Sequence, residues 1–308
     1  RERIAKRLGM HEQYIGTIGA GRFDPKEITV ATIQTLTRPM TGSKKYLLTK
    51  YLKSIEVLFI DEGHHAKALT WYRLINRIPA QFRFLLSGTP FGGENDLAVE
   101  AACGPVISRV SNKTLIKLGV SATPTVRIYP VTEPILDTNL PWDQVYKEGI
   151  VLNTARNVAI TNQICAFAKA KKSCLILVKE LWHGDSISTM LKERKVAHEF
   201  VHGKMPSSVV DRVKARFEVG EFHALIASPI FDEGVDVPAI RSLVIADGGK
   251  SIRSVLQKIG RGLRKKATGE NTLDVVDFAD TTHHWLAAHS VERADIYKRE
   301  GFEVIVMP

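Results

Sequence analysis

Val57-Leu58-Phe59-Ile60-Asp61-Glu62-Gly63-His64 is a run of four apolar residues that ends abruptly in two carboxylates, a glycine and a histidine. The apolar run reads as a strand buried on both faces, as in a parallel sheet. In open α/β sheets ligands bind just beyond the carboxyl ends of the strands, so these charges stand where chemistry is expected. Adjacent acids at the tip of a buried strand are a usual means of holding a hydrated Mg²⁺ beside a nucleoside triphosphate. Taken alone, the same residues also fit an exposed turn, where Asp and Gly are common. The rest of the chain separates the two readings.

Outward from this stretch, strands and helices alternate. Before it come a helix over residues 1–12, a turn at Asp24-Pro25, a strand at Ile28–Ala31, a loop over 37–45 and a helix through Tyr46–Leu52. After it come a helix at Leu69–Ile78 and a buried strand at Phe82–Leu86, which ends in Ser87-Gly88-Thr89-Pro90. That rhythm predicts a doubly wound parallel sheet. A helix at Asn112–Leu118 and a strand at Val126–Val131 are assigned to the same domain, and 134–152, with Pro134, Pro141 and Gly149, reads as a linker. A second α/β run follows, opened by Asn153 as a helix cap. Its strands are placed at 175–178, 197–201, 224–227, 243–246, 273–278 and 302–306, with helices between them. The expected fold class is therefore α/β, two domains with parallel sheets, over 1–133 and 153–308.

Composition agrees with a soluble globular chain: 308 residues, 44% hydrophobic and 25% charged. A formal net charge of +10 points towards a polyanionic partner. Three cysteines (Cys103, Cys165, Cys174) without CxxC spacing suit a reducing cytosol, and no apolar run is long enough to span a bilayer. A cytoplasmic protein of a bacterium or a phage-infected cell, with no membrane partner, is expected. The histidine pairs at 64–65 and 283–284 lack the further ligands a metal would need. Of Trp71, Trp142, Trp182 and Trp285, Trp182 is singled out as the one to test for exposure.

The second half carries Gln257-Lys258-Ile259-Gly260-Arg261-Gly262-Leu263-Arg264. Arg261 and Arg264, three apart on a helix start, can point the same way, and paired guanidiniums suit a phosphoryl group gaining charge during transfer. With Asp61–His64, Ser87–Pro90 and Gly234-Val235-Asp236-Val237-Pro238, these residues resemble motifs II, III, V and VI of superfamily 2 helicases, in order and spacing. The Gln that heads the last motif is similar to the DEAH and restriction-translocase branch. His289-Ser290-Val291-Glu292-Arg293, with Tyr297 on the same helix, resembles the tail of phage UvsW-type helicases, which remodel branched DNA.

The resemblance implies two RecA-like domains, the first truncated at its N-terminus, with ATP and Mg²⁺ as cofactors and DNA, single-stranded and branched, as partner of a monomer. It implies that Asp61 holds Mg²⁺ through water, that Glu62 activates the attacking water and that His64 links the phosphate site to the second domain. Ser87 and Thr89 would relay nucleotide state, Gly234 and Asp236 would meet the nucleotide, and Gln257, Arg261 and Arg264 would close over the γ-phosphate. Thr32, Gln34, His202, Gly203 and Ser228 would touch the nucleic-acid backbone. The implied function is an ATP-dependent DNA helicase or translocase acting on branched DNA in replication, recombination and repair. A restriction-type translocase subunit, a DEAH-like RNA helicase, or a binding fragment without ATP turnover are the alternatives.

Three departures bear on this. No GxxxxGK[ST] occurs; with a start that reads as the middle of a helix, the phosphate loop is expected upstream of the given chain, in preference to a degenerate motif. Motif III reads Ser-Gly-Thr, while Ser121-Ala122-Thr123-Pro124 matches its usual form better; the latter follows a helix and turn rather than a buried strand and is rejected. Lys258 stands where Arg is frequent and would act as a point charge rather than a fork.

Overall fold

The structure is a computed structural model, describing residues 1–39, 41–88, 96–228, 240–249, 259–260, 263, 265–266 and 269–308. The chain divides into two compact units, Arg1–Ser108 and Arg109–Pro308.

In the first unit, β1 (Ile15–Gly19) pairs antiparallel with β2 (Arg22–Asp24) and parallel with β3 (Ile28–Ala31). Separately, β4 (Val57–Ile60) pairs parallel with β5 (Phe82–Leu85). Alternation along β4 sends Leu58 and Ile60 into the core with Leu74, Ile75 and Ile78, the last two turns of the helix Leu69–Arg77 and its end. The other face of β4 departs from expectation. Val57 and Phe59 are 47% and 65% exposed, and Phe59 is instead stacked on Phe84 of β5 with ring centroids 5.2 Å apart. Among the described residues β4 has one strand neighbour and packing on one side, so four apolar residues in a row do not make it buried on both faces.

The second unit is the larger α/β body. Its parallel sheet of seven strands, among the described residues, has the order β12-β6-β11-β10-β7-β9-β8. The strands are β6 (Thr123–Val131), β7 (Cys174–Leu177), β8 (His198–Val201), β9 (Ala224–Ala227), β10 (Ser242–Ile245), β11 (Thr272–Asp280) and β12 (Glu303–Val306). Every residue of β7, β9 and β10 is buried, and the period of two sorts them onto two cores. Leu175, Leu225, Leu243 and Leu273 join Val210, Val213 and Phe217 of the helix Ser207–Glu218 on one face. Ile176, Ile226, Val244 and Phe278 meet Ile160, Ile164, Ile187 and Leu191 on the other, from the helices Thr154–Lys169 and Leu181–Glu193. Helices on both faces of continuous apolar strands are the doubly wound arrangement the sequence predicted.

Two segments lie elsewhere than expected. Val126–Val131, assigned to the first domain, is part of β6 and pairs with β11 and β12 inside the second unit's sheet. The stretch 134–152 is packed rather than extended: Leu136, Val145, Tyr146, Ile150 and Val151 form a small core with Leu286. Its Pro and Gly residues punctuate a short helix, Trp142–Tyr146, and a π-helical turn, Lys147–Val151. Asn153 does cap the helix Thr154–Lys169, its Oδ1 accepting the Arg156 N–H at 3.0 Å. Among the described residues no helix is long and apolar enough to cross a membrane.

One buried histidine gives this unit a defined pH dependence. His183 is fully buried, and its Nε2 lies 2.9 Å from Asn157 Oδ1. Because Asn157 Nδ2 donates to Val151 O, its Oδ1 must accept, so the His183 proton sits on Nε2. Burial, and next the nearby Arg156 charge, push the imidazole down to about 3 from 6.5. The unfolded chain therefore binds a proton between these values that the folded one does not, and stability falls as pH drops below 6.5. At pH 5 the loss is about 2 kcal/mol. Urea unfolding at pH 7.5 and pH 5 should show that difference in the parent and lose it in His183→Gln; equal losses in both would contradict the assignment.

Candidate active site

β4 and β5 run in register from Val57 opposite Phe82 to Ile60 opposite Leu85, so the residues after both strands emerge at the same end. Backbone bonds carry the pairing past the strands: Leu86 N–H donates to Ile60 O at 2.8 Å and Gly63 N–H to Leu86 O at 2.9 Å. Gly63 can come this close because it has no side chain. A Cβ there would stand 1.8 Å from Leu85 Cγ.

To make that approach, the chain turns through Glu62 in the left-handed region, φ 48° and ψ 46°. For a residue with a Cβ this costs about 1–2 kcal/mol. Asp61 offsets part of it, its Oδ1 accepting the Glu62 N–H at 2.9 Å. Strain of this kind held beside two exposed carboxylates is a mark of a working site. The following 3₁₀ turn, Gly63–Lys67, sends His64 inward, where it is buried, and His65 onto Trp71, with ring centroids 5.2 Å apart.

His64 joins the two motifs physically. Its Nδ1 lies 3.3 Å from Glu62 Oε2 and 3.3 Å from Ser87 Oγ. Carrying a proton, that nitrogen can donate to the carboxylate or to the hydroxyl oxygen; carrying a lone pair, it accepts from the hydroxyl.

Asp61, Glu62, His64 and Ser87 are therefore brought together within the first unit. Thr32 and Gln34, also there, are exposed at the start of the helix Ile33–Thr37, with Thr32 Oγ1 donating to Thr35 Oγ1 at 2.8 Å. In the second unit, His202 and Gly203 follow β8 and Ser228 follows its neighbour β9, with Ser228 N–H donating to Val201 O at 3.1 Å. These three share the carboxyl end of the sheet; Gly203 is exposed, His202 packs edge-on against Phe200, and Ser228 is buried. Thr89, Gly234, Asp236, Gln257, Arg261 and Arg264 lie outside the described residues. Ser121–Pro124 sits at the amino end of β6, away from the strand ends that carry ligands, in keeping with its rejection. Trp182, at 39% exposure, is matched by Trp142 at 40% and Trp285 at 38%, so exposure does not single it out.

The donor set fits a water-held divalent cation. Asp61 is exposed at a strand's carboxyl end, and one of its oxygens is engaged by the backbone, leaving the other for the hydration shell of Mg²⁺. The sequence reading put Leu85 and Leu86 in a strand and missed what they do at the site. Their part is to seat Gly63, and the small residue after an acidic pair was the only signal of it.

Both units match family models. "Type III restriction enzyme, res subunit" matches residues 1–92, which include Asp61–His64 and Ser87, and "Helicase conserved C-terminal domain" matches residues 149–266, which include Gly234, Asp236 and Gln257–Arg264. The chain belongs to the superfamily 2 helicases. The helicase uvsW of Enterobacteria phage T4, named as an ATP-dependent DNA helicase, is 24% identical over 279 residues, covering 83% of this chain. The match covers 55% of that relative, so the chain spans about half its length. Among solved structures, a fragment of a putative HsdR subunit of a type I restriction enzyme from Vibrio vulnificus has a TM-score of 0.68 at 18% identity, covering 96% of this chain and 55% of that one. S. cerevisiae Dbp5 bound to RNA and ADP BeF3 has a TM-score of 0.64 at 15% identity, covering 100% and 73%. The chain thus has the RecA-like α/β fold of its superfamily.

Proposed function

We propose that this chain is the motor part of an ATP-dependent DNA helicase or translocase that acts on branched DNA, in the manner of fork reversal or branch migration. The observation that carries the reading is His64 Nδ1 set between Glu62 and Ser87, because it ties the acids suited to hydrolysis to the segment suited to transmission. In this reading Asp61 holds Mg²⁺ through water and Glu62 orients the attacking water and takes up its proton. Bound Mg²⁺ supplies neutralisation of phosphate oxygens. Gln257, Arg261 and Arg264 close over the γ-phosphate, the two arginines countering charge on the transferred phosphoryl group, and Gly234 and Asp236 meet the nucleotide. Thr32, Gln34, His202, Gly203 and Ser228 address the nucleic-acid backbone, consistent with a net charge of +10. The protein acts as a cytoplasmic monomer in replication, recombination and repair.

The preference for branched DNA draws on the similarity to the phage helicase uvsW and on the tail His289–Arg293. It is tested by comparing ATP turnover and strand rearrangement on a four-way junction, a fork, a linear duplex and a structured RNA. The junction and fork should give the largest stimulation. Stimulation by the RNA alone would favour an RNA helicase, and movement along linear duplex without strand separation would favour a restriction-type translocase.

A further inference from the structure

Four successive backbone carbonyls beyond β10 are each taken by a buried side chain. Arg156 Nη1 donates to Ala246 O at 2.6 Å, the Tyr146 hydroxyl donates to Asp247 O at 3.0 Å, and Arg293 Nη1 donates to Gly248 O at 3.1 Å and Gly249 O at 3.3 Å. The donors come from three helices, Trp142–Tyr146, Thr154–Lys169 and His284–Arg299. The arginines are fixed in turn. Arg156 Nε donates to Asp280 Oδ1 at 2.8 Å, Arg293 Nε to Asp277 Oδ2 at 2.8 Å, and the Tyr297 hydroxyl to the same Asp277 oxygen at 2.6 Å. All four charged residues are at most 1% exposed.

Stability alone does not account for this cluster. Removing each ion from water costs several kcal/mol, and apolar residues of the same volume often serve as well or better. What the ion pairs provide is direction: two guanidinium forks, each locked by a carboxylate, aimed at one short stretch of backbone. The same stretch is seated from below, since Gly248 has φ 61° and a Cβ there would stand 2.8 Å from Ile150 Cδ1. Residues 246–249 are the run of chain leading to Gln257, eight positions past Gly249.

We propose that Tyr146, Arg156 and Arg293 are positioning residues: they hold residues 246–249, from which the sequence runs on to the motif Gln257–Arg264, and so serve that motif. The proposal rests on the reading above, in which that motif acts on ATP. None of the three lies in a helicase motif, and Arg293 gives the tail His289–Arg293 a physical task. Because their target acts on the transferred phosphoryl group, losing them lowers kcat and spares KM for ATP.

The test uses the full chain with Tyr146→Phe, which deletes one hydroxyl, and Arg293→Lys, which keeps the charge but not the fork. Tyr297→Phe is the control: it removes a bond to Asp277 without touching residues 246–249. Four quantities are read: kcat, KM for ATP, thermal midpoint, and amide hydrogen exchange across 246–258. Tyr146→Phe and Arg293→Lys should lower kcat by roughly 10- to 100-fold at unchanged KM and speed exchange in that segment by on the order of 10-fold. Tyr297→Phe should lower the midpoint comparably and leave kcat and exchange at parental values. A kcat that merely follows the midpoint in all three variants, or parental exchange in the first two, overturns the proposal. A parent that hydrolyses no ATP overturns the function instead, and the exchange of 246–258 still decides whether the three side chains hold it.

Discussion

Glu62→Gln should abolish ATP turnover while leaving ATP-dependent DNA binding in place. The carboxylate is exposed on a strained turn at the end of β4, with Asp61 bonding its backbone and His64 Nδ1 3.3 Å from its Oε2. An amide of the same shape keeps the turn but accepts no proton from water, and loss of a general base costs roughly 10²- to 10⁴-fold. Because Gln remains polar and the site is open to solvent, folding and nucleotide binding should be spared. Single-turnover hydrolysis and filter binding with and without ATP, run on the same preparation, measure both. Turnover near the parental rate would remove Glu62 from the role of base and with it the assignment of this site.

Gly63→Ala should destabilise the first unit and disturb its acidic turn together. Its Cβ would have to share space with Leu85 Cγ at 1.8 Å, on backbone bonded to Leu86 O at 2.9 Å. Either Leu85 leaves its rotamer or the acidic turn lifts from β5, and overpacking of this kind costs about 3 kcal/mol. For a unit of this size that is a fall of on the order of 10 °C in its melting midpoint. Turnover should fall as well, since a lifted turn carries Asp61, Glu62 and His64 with it. Leu85→Ala makes room, so Gly63→Ala in that background should cost much less than alone. A melting midpoint that drops equally in both backgrounds would show that Leu85 is not the obstacle.

What the sequence made legible follows from range. Strands β7, β9 and β10 announce themselves because every residue but Ser242 is apolar, and the acids after β4 stand out because two charges follow four apolar residues directly. Asn153 as a cap depends on residues three positions away, and it too was readable. The obscured features depend on partners far along the chain. Gly63 is constrained by Leu85, and β6 belongs to the second unit through β11 and β12, more than 140 residues on. The exposed face of β4 follows from its having a single strand neighbour among the described residues, which four apolar side chains cannot disclose. Arg156 and Arg293 look like surface charges on helices. Asp277 and Asp280, buried beside the apolar residues of β11, were the trace of their burial.

The measurement that bears most directly on a helicase motor built around Asp61, Glu62 and His64 is steady-state ATP turnover by the purified protein, its intact mass recorded, with and without forked DNA. The expected result is turnover stimulated strongly by the fork and suppressed by Glu62→Gln. Turnover that is absent, or present but indifferent to both DNA and Glu62, would contradict it.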